Sequence, residues 1–188
     1  YNALAKEPMT PARLAQATST TERYVREWLS AQAASGYVEY DAETKKFSML
    51  PEQTMVFADD DSPVFMGAVG DLMAAIMLDE PKISDAFKTG KGVGWNDRAE
   101  CLFCGTARFF RTTYKHHLVQ EWLPALHGVT AKLERGAKVA DVGCGHGVST
   151  LLMAKAYPNS HFFGFDPHPG SIATAQERAA SEGLSRRV

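Results

Sequence analysis

The most regular hydrophobic pattern of the chain lies in residues 138–156. Val139, Ala140 and Val142 form a short apolar run, which is typical of a strand that is buried on both faces of a sheet. Three glycines on alternate positions follow this run, and residues 151–154 are then all apolar, as in a buried helix. The pattern predicts a strand, a glycine turn and a helix whose first N–H groups are free to bind a ligand.

A second strand and helix follow in the pattern. Residues 161–166, His-Phe-Phe-Gly-Phe-Asp, predict a buried strand that ends in an acidic residue. This acid, Asp166, lies about 20 residues beyond the glycine turn, where nucleotide-binding folds place a carboxylate for a ribose. Ser171 is predicted to cap a helix over residues 172–182, which ends at Gly183. These elements start a doubly wound parallel sheet, with the ligand expected at the carboxyl ends of its strands.

The N-terminal pattern predicts two short helices and a hairpin. Residues 10–17 begin with Thr-Pro, a favourable cap and first turn for a helix. Residues 19–22 fit the capping box Ser-x-x-Glu, which predicts a second helix that ends at Gly36. Strand-like runs at residues 37–40 and 46–49 then bracket a polar turn. A helix-turn-helix followed by a hairpin forms a winged helix.

The middle of the chain is predicted to be helical. Residues 59–63 form a polar break that is suited to starting a helix, and apolar side chains then recur at helical spacing up to Pro81. A glycine-rich loop at residues 90–94 precedes Trp95, which is interpreted either as a packing residue or as part of a mobile flap over a pocket. Residues 108–126 predict a further helix with an aromatic side.

These elements assign the chain to the α/β class and divide it into three regions. We predict a winged helix-turn-helix domain at residues 1–57, a helical linker or cap region at residues 58–130, and the start of a Rossmann-like domain at residues 131–188. Tyr1 is not a methionine, and Val188 falls where a third strand is expected. We therefore expect a fragment that contains the first half of a doubly wound sheet.

Composition limits the location and the partners. Of the 188 residues 45% are hydrophobic, as in a globular protein, and 20 Lys and Arg nearly balance 22 Asp and Glu. This balance gives no electrostatic indication of binding to nucleic acid or to an anionic membrane. No apolar run approaches the ~20 residues of a membrane span. The odd number of cysteines, 3, favours a reducing compartment, so the expected location is the cytoplasm.

DNA binding through the second predicted helix is the function that a winged helix first suggests. The charged residues of that helix cancel; they are Glu22, Arg23, Arg26 and Glu27. Residues 1–57 carry six Lys or Arg and seven Asp or Glu, a net charge of −1. Binding to phosphates requires a basic face, so nucleic acid is not an expected partner.

The spacing of the glycine turn distinguishes between classes of ligand. A dinucleotide-binding turn has the pattern G-x-G-x-x-G, whose third glycine would fall at Val148. Here the third glycine comes one residue earlier, at Gly147, and Asp141 stands two residues before the first. A carboxylate there would repel a pyrophosphate and would suit a ligand that carries an ammonium or a sulfonium group.

This Asp-x-Gly-x-Gly-x-Gly pattern, with an acid at the end of the next strand, resembles motif I and the following acidic position of class I S-adenosylmethionine-dependent methyltransferases. The resemblance implies that the glycines line the methionine portion of the cofactor, with Asp141 near its amino group. It also implies that Asp166 accepts hydrogen bonds from the ribose hydroxyls and that Pro167 and His168 lie beside the adenine. The full set of implied cofactor-binding residues is Asp141, Gly143, Cys144, Gly145, His146, Gly147, Asp166, Pro167 and His168.

Over its whole length the chain resembles bacterial winged-helix methyltransferases of the small-molecule type. This resemblance implies methyl transfer from S-adenosylmethionine to a small, apolar acceptor, and a homodimer formed through the N-terminal domain. Because the sulfonium is already activated, alignment and desolvation can supply much of the rate, and no catalytic residue is assigned. The alternative function is a transcription regulator that senses a metabolite and binds DNA through its winged helix.

Cysteines and histidines in the middle region do not favour a metal site. Cys101 and Cys104 form a C-x-x-C pair on a predicted helix, where cysteines usually pack as small hydrophobic residues. His116 and His117 follow, but adjacent residues on a helix point about 100° apart, so no zinc site is expected. Neither histidine is assigned as a general base, and His146 is expected to contact the cofactor from within the glycine turn.

Overall fold

Residues 1–67 and residues 68–188 form two separate units in the computed structural model, which describes all 188 residues. The first unit contains the helices and the hairpin of a winged helix, and the second contains the long helices and two parallel strands. The α/β fold class is therefore confirmed. The predicted domain boundaries after residues 57 and 130 stay predictions. None of the helices is long and apolar enough to cross a membrane.

The N-terminal unit is built from three helices and a hairpin. Its elements are α1, Pro11–Thr18, α2, Glu22–Ala34, β1, Glu39–Asp41, β2, Lys46–Ser48, and α3, Pro51–Phe57. The strands are antiparallel, with Tyr40 opposite Phe47, and Met9 forms an isolated bridge to Phe47. Leu29 and Val38 are buried in the core that these elements share. The predicted winged helix-turn-helix is thus present.

The turn between α1 and α2 differs from the prediction. Thr10 caps α1 as expected, since its Oγ1 accepts a hydrogen bond within the first turn. Ser19, however, ends α1 in a left-handed conformation with φ of 53°. α2 begins at Glu22 after Thr21, whose side chain makes no capping bond. The capping box predicted at residues 19–22 is wrong, because the serine that it requires is already used to end α1.

The C-terminal unit begins with helices. They are α4, Val69–Thr89, a short 3-10 helix, Trp95–Asp97, α5, Glu100–Thr113, a π-helix, Tyr114–Trp122, α6, Leu123–Ala125, and α7, Val129–Arg135. α4 and α5 approach each other closely at Gly105, where an added Cβ would lie 2.9 Å from the Cβ of Asp71. A larger residue at Gly105 would therefore push the two helices apart.

Both predicted ends of the first long helix are wrong. α4 begins at Val69 and continues through Pro81 to Thr89. Ser62 does not start it, because the Ser62 hydroxyl accepts from the N–H of Val64 at 3.3 Å in a local turn. A proline inside a helix removes one backbone hydrogen bond, and here the packing of α4 on α5 stabilises the helix as a whole.

The predicted helix over residues 108–126 changes type in the structure. α5 ends at Thr113, and a π-helix of 9 residues continues to Trp122. Tyr114, Leu118 and Trp122 recur at every fourth residue, which is the ordinary spacing of one face of an α-helix. The sequence pattern therefore does not predict the i→i+5 bonds of the π-helix.

The predicted strand–helix–strand–helix unit is confirmed. Its elements are β3, Lys138–Val142, α8, Val148–Ala156, β4, His161–Phe165, and α9, Pro169–Ser181. The two strands are parallel, with Val142 opposite Phe165, so both end at the same edge of the sheet. Phe162 and Leu151 belong to the buried core beneath the sheet. Both predicted acids therefore reach the same end of this unit.

Only one face of the two-stranded sheet is covered. Phe162 is buried, whereas the side chains of Val142, Phe163 and Phe165 are 81%, 47% and 55% exposed. The prediction that the first strand is buried on both faces is wrong for this chain. Alternating residues of each strand point to opposite faces of the sheet. None of the helices of this chain covers the face that carries Val142.

Candidate cofactor-binding site

The glycine loop, residues 143–147, turns the chain from β3 into α8. Gly143, Gly145 and Gly147 all have positive φ, at 82°, 51° and 72°. A Cβ at either of the first two would meet nothing within 4 Å, whereas at Gly147 it would lie 2.9 Å from the Cβ of Ala175 in α9. Two glycines thus leave the backbone open to a ligand, and the third allows α8 and α9 to pack.

Asp166 is held against the glycine loop by backbone donors. The N–H of Gly145 donates to Asp166 Oδ2 at 2.9 Å, and the N–H of His168 donates to Oδ1 at 2.9 Å. A carboxylate can accept about four hydrogen bonds, so each oxygen keeps a further lone pair for a ligand. The acid at the end of β4 is therefore fixed in position and still able to accept.

Two more N–H groups of the loop bind the end of β4. Gly143 and Cys144 both donate to the carbonyl of Phe165, at 2.7 and 3.1 Å. The backbone donors of this part of the loop thus join the ends of the two strands. The open Cα surfaces of Gly143 and Gly145 are the part of the loop that a ligand can approach.

Asp141 lies beneath the loop and does not line the cavity described below. Its Oδ2 accepts from the hydroxyls of Ser149 at 2.8 Å and Thr150 at 2.6 Å, in the first turn of α8. Thr150 is buried. Asp141 therefore fastens the start of α8 to the end of β3, and its negative charge stays close to the loop.

A cavity of about 360 Å³ opens beside the glycine loop. Its lining includes six of the predicted cofactor-binding residues, which are Gly143, Cys144, Gly145, His146, Asp166 and Pro167. Asp141, Gly147 and His168 do not line it. The structure thus gathers most of the predicted site around one cavity, and the binding role of each residue stays a prediction.

Aromatic side chains form the opposite wall of this cavity. Trp95, Phe103, Phe110 and Tyr114 contribute to it from the 3-10 helix, α5 and the first residue of the π-helix. Trp95 meets Phe103 edge to face, with ring centroids 5.5 Å apart. Phe103 stacks on His168 at 3.7 Å, with 12° between the ring planes. The aromatic wall therefore contacts the loop that follows Asp166.

His168, and not Ser171, is the cap of α9. His168 Nδ1 accepts from the N–H of Ser171 at 3.1 Å and lies 2.9 Å from the Ser171 hydroxyl. The helix starts at Pro169, so the predicted cap at Ser171 is wrong. The imidazole can take the place of the usual Ser or Asp cap because its unprotonated nitrogen accepts in the same way.

Asp166 is the only residue with a formal charge among those that line the cavity, which include no Lys and no Arg. Burial, followed by the charges of Asp141 and Asp166, raises the pKa of the Cys144 thiol to about 11. Burial also raises the pKa of Tyr114, with Asp141 adding to the effect. Burial is the larger cause of both shifts, and the nearby carboxylates act in the same direction.

His146 is a buried residue of the glycine loop. Burial lowers its pKa, and the positive charge of Arg178 lowers it further. Both effects favour the neutral form of the His146 imidazole. The carbonyl of His146 accepts from Arg178 at 3.5 Å, which connects the loop to α9.

The other histidines and the cysteines of the middle region do not line the cavity. His117 Nδ1 lies 3.0 Å from Glu121 on the same π-helix. No group of three or more His, Cys, Asp or Glu side chains could hold a metal ion.

Sequence reasoning missed three features of the site. Ser149 and Thr150 were visible as hydroxyl residues directly after the glycine turn, where a side chain at the end of the preceding strand can reach them. Phe103 gave no distinctive signal, because one aromatic residue on a helix is compatible with ordinary packing. Its role depends on the contact with His168, which is far away in the sequence.

Two family models match the chain. The Rv2258c-like winged HTH domain matches residues 1–58, and a methyltransferase domain matches residues 133–188. The predicted combination of an N-terminal winged helix with a methyltransferase domain is therefore confirmed.

The chain is also similar to individual methyltransferases. It shares 45% identity with the trans-aconitate 2-methyltransferase of Methylobacterium nodulans over 42 residues, which are 22% of this chain and 16% of that protein. The mitomycin 7-O-methyltransferase MmcR has a similar structure, with a TM-score of 0.68 and 19% identity. That match covers 98% of this chain and 56% of MmcR.

The O-methyltransferase NcsB1 from neocarzinostatin biosynthesis is a second similar structure, with a TM-score of 0.60 and 18% identity. NcsB1 was solved with S-adenosylmethionine and 2-hydroxy-5-methyl naphthoic acid, and the match covers 99% of this chain and 58% of NcsB1. This chain thus spans a little over half the length of these two structures. At this level of identity the similarity shows the fold.

Proposed function

We propose that the intact protein transfers a methyl group from S-adenosylmethionine to a small, apolar acceptor. The observation that carries this proposal is the charge of the cavity: Asp166 lines it, Asp141 lies close by, and no Lys or Arg lines it. A nucleoside that bears a sulfonium and an ammonium group suits such a cavity. A pyrophosphate suits it less, because it would lie beside the carboxylate of Asp166 with no Lys or Arg in the lining to offset its charge.

The residues of the cavity suggest how the donor would be held. Asp166 keeps lone pairs for the ribose hydroxyls after accepting its two backbone bonds. Gly143 and Gly145 leave room for close approach to the backbone. Asp141 would act on the amino group through its charge. Pro167 and His168 would lie towards the adenine, with Cys144, His146 and Gly147 completing the proposed site.

S-Adenosylmethionine would supply a methyl group that is activated by the positive sulfonium sulfur. A nucleophilic atom of the acceptor would bond to the methyl carbon in line with the C–S bond, which breaks, and the neutral thioether would leave with the electron pair. The aromatic wall would exclude water and orient the acceptor, which supplies much of the rate of such a reaction. We assign no general base. His146 belongs to the glycine loop and lies on the side of the cavity where the donor would bind.

The acceptor and the assembly follow from the same proposal. NcsB1 was solved with an aromatic acid, and the aromatic wall of this chain suits a flat apolar acceptor. We propose a cytoplasmic homodimer formed through the winged helix. Tyr24, Trp28, Tyr37 and Tyr40 of this unit are all partly or largely exposed, and such residues are enriched at interfaces.

The regulator alternative is not favoured. Helix α2 carries two Arg and two Glu, and Arg26 forms an ion pair with Glu22. A recognition helix with no net positive charge gains little from contact with phosphates.

A calorimetric titration of the full-length protein with S-adenosylmethionine and with NAD tests the proposal. We expect about micromolar affinity for the methyl donor and no measurable binding of NAD. Binding of NAD alone would contradict the charge argument. Folded protein that binds neither ligand would refute the proposed function and favour the regulator.

A further inference from the structure

A buried carboxylate outside the cavity has no role in the proposed function so far. Asp79 of α4 is completely buried. Its Oδ2 accepts from Arg98 Nε at 2.6 Å, and its Oδ1 accepts from Lys82 Nζ at 3.0 Å. The N–H of Ala99 donates to both oxygens at 3.0 Å. A buried charge is costly unless it is fully paired, so this degree of pairing calls for an explanation.

All but one of these donors belong to a single segment, residues 90–99, which we call the Trp95 segment. Lys82 of α4 also donates to the carbonyl of Asp97, so that α4 holds the end of the Trp95 segment in three places. At the other end, Gly90 and Gly92 have positive φ and no neighbour within 4 Å of an added Cβ. The segment is therefore anchored at its C-terminal end and open at its N-terminal end.

Between these ends the Trp95 segment reaches the cavity. Trp95 lines the cavity and packs edge to face on Phe103. Asn96 Nδ2 donates to the carbonyl of Pro167 at 3.1 Å, directly after Asp166. The contacts thus run without interruption from Asp79, through Arg98 and Ala99, to Trp95 and to the loop that carries Asp166.

We infer that Asp79 is a positioning residue that holds Trp95 and Asn96 across the ligand cavity. Its charge fixes Arg98 and the start of α5, and this sets where the indole of Trp95 lies relative to Asp166. The effect on the methyl donor rests on the proposed function. The effect on the order of the Trp95 segment does not.

The first test measures hydrogen exchange in the ligand-free, full-length protein. The variant Asp79→Asn keeps the size of the side chain and removes its charge. Asp85→Asn is the matched control, since Asp85 is an exposed residue of the same helix. We expect exchange about tenfold faster in peptides from residues 90–99 of Asp79→Asn, with β3 and β4 and the control unchanged. Unchanged exchange in residues 90–99, or a rise throughout the protein, would overturn the inference.

Lys82→Gln provides a second variant if Asp79→Asn does not fold. Lys82 is about half exposed, at 48% of its side-chain surface, and it bonds both Asp79 and the carbonyl of Asp97. We expect hydrogen exchange in residues 90–99 to become faster in this variant as well, by less than in Asp79→Asn. No change in residues 90–99 of this variant would count against the anchoring role.

The second test is a double-mutant cycle on binding of S-adenosylmethionine. We expect Trp95→Ala and Asp79→Asn each to raise the Kd by about tenfold, and the double variant to be no weaker than Trp95→Ala alone. A general loss of stability would instead add to the effect of Trp95→Ala, and full additivity would overturn the inference. If the wild type binds no donor, the proposed function fails, and the exchange experiment alone decides the role of Asp79.

Discussion

The two sides of the cavity are built in different ways. One side, the floor, is the glycine loop with Asp141 and Asp166, whose contacts are mostly within a single strand–helix–strand unit. The other side, the wall, consists of aromatic residues on α5 and the Trp95 segment, which depend on the buried Asp79. A local motif thus positions the binding groups of the floor, whereas a carboxylate that is distant in the sequence positions the wall.

The largest effect is expected from Gly147→Ala in the floor. The new Cβ would lie 2.9 Å from Ala175, and φ is 72°, so clash and backbone strain act together. We expect a loss of about 3 kcal/mol in the free energy of unfolding, measured with urea. Gly183→Ala is the control, since Gly183 has a φ of 70° but open space, and about 1 kcal/mol is expected there. Equal losses in the two variants would show that the floor is not closely packed.

Two thiols compare a position in the floor with an exposed position on α5, the helix that carries part of the wall. Burial and two nearby carboxylates raise the pKa of Cys144 to about 11, whereas Cys104 on α5 is exposed. Only the thiolate reacts, so at pH 7 we expect alkylation of Cys144 to be about a hundredfold slower than that of Cys104. The rate at Cys144 should rise about tenfold per pH unit below its pKa, as followed by mass spectrometry. Equal rates at the two thiols would show that the floor is open and not negative.

Acid is expected to weaken the contacts that hold the wall, because it protonates Asp79. The hydrogen bond from Arg98, then the N–H of Ala99 and Lys82, lower the pKa of Asp79 to about 2. Because the unfolded value is about 3.9, the stability from Asp79 is fully present above pH ~4 and is lost as the pH falls through about 2. Urea midpoints of the wild type should therefore approach those of Asp79→Asn over this range. A difference that does not change with pH would argue against a charged Asp79.

The smallest effect is expected where the wall meets the floor. Phe103→Leu removes the ring that stacks on His168, a contact worth about 1 kcal/mol of unfolding free energy. Phe87→Leu on α4 is the control, since Phe87 is 90% exposed and its loss should change the urea midpoint very little. If the two substitutions lower the free energy of unfolding equally, the stacking of Phe103 on His168 contributes nothing to stability.

The sequence predicted the floor better than the wall for a physical reason. The glycine turn and Asp166 form a local pattern whose spacing limits both the backbone and the ligand, and the parallel strands bring them together as expected. Errors at Ser19 and Ser171 arose because several side chains near a helix end can form its cap. Asp79 lies in a helix that was expected to end near Pro81, and its partners are distant in the sequence, so no periodicity revealed it.

The wall also shows why helix boundaries were missed in the middle region. Ser62 matched a start signal but bonds to Val64 in a turn, and the helix continues through Pro81 because it packs on α5. The change from α5 to a π-helix leaves no mark in the spacing of Tyr114, Leu118 and Trp122, which is that of an α-helical face. These outcomes depend on tertiary contacts, which a single sequence does not display.

The most direct test of the central claim is the affinity of S-adenosylmethionine for the full-length wild type and for Asp166→Ala, with Asp85→Ala as a control on α4. Asp166 is the one acid that lines the cavity. We expect the wild type to bind the donor with about micromolar affinity. The Kd should rise about tenfold or more in Asp166→Ala and stay unchanged in the control. Hydrogen exchange in β3 and β4 would verify that the variant keeps its fold. Unchanged affinity in a folded Asp166→Ala variant would contradict the account.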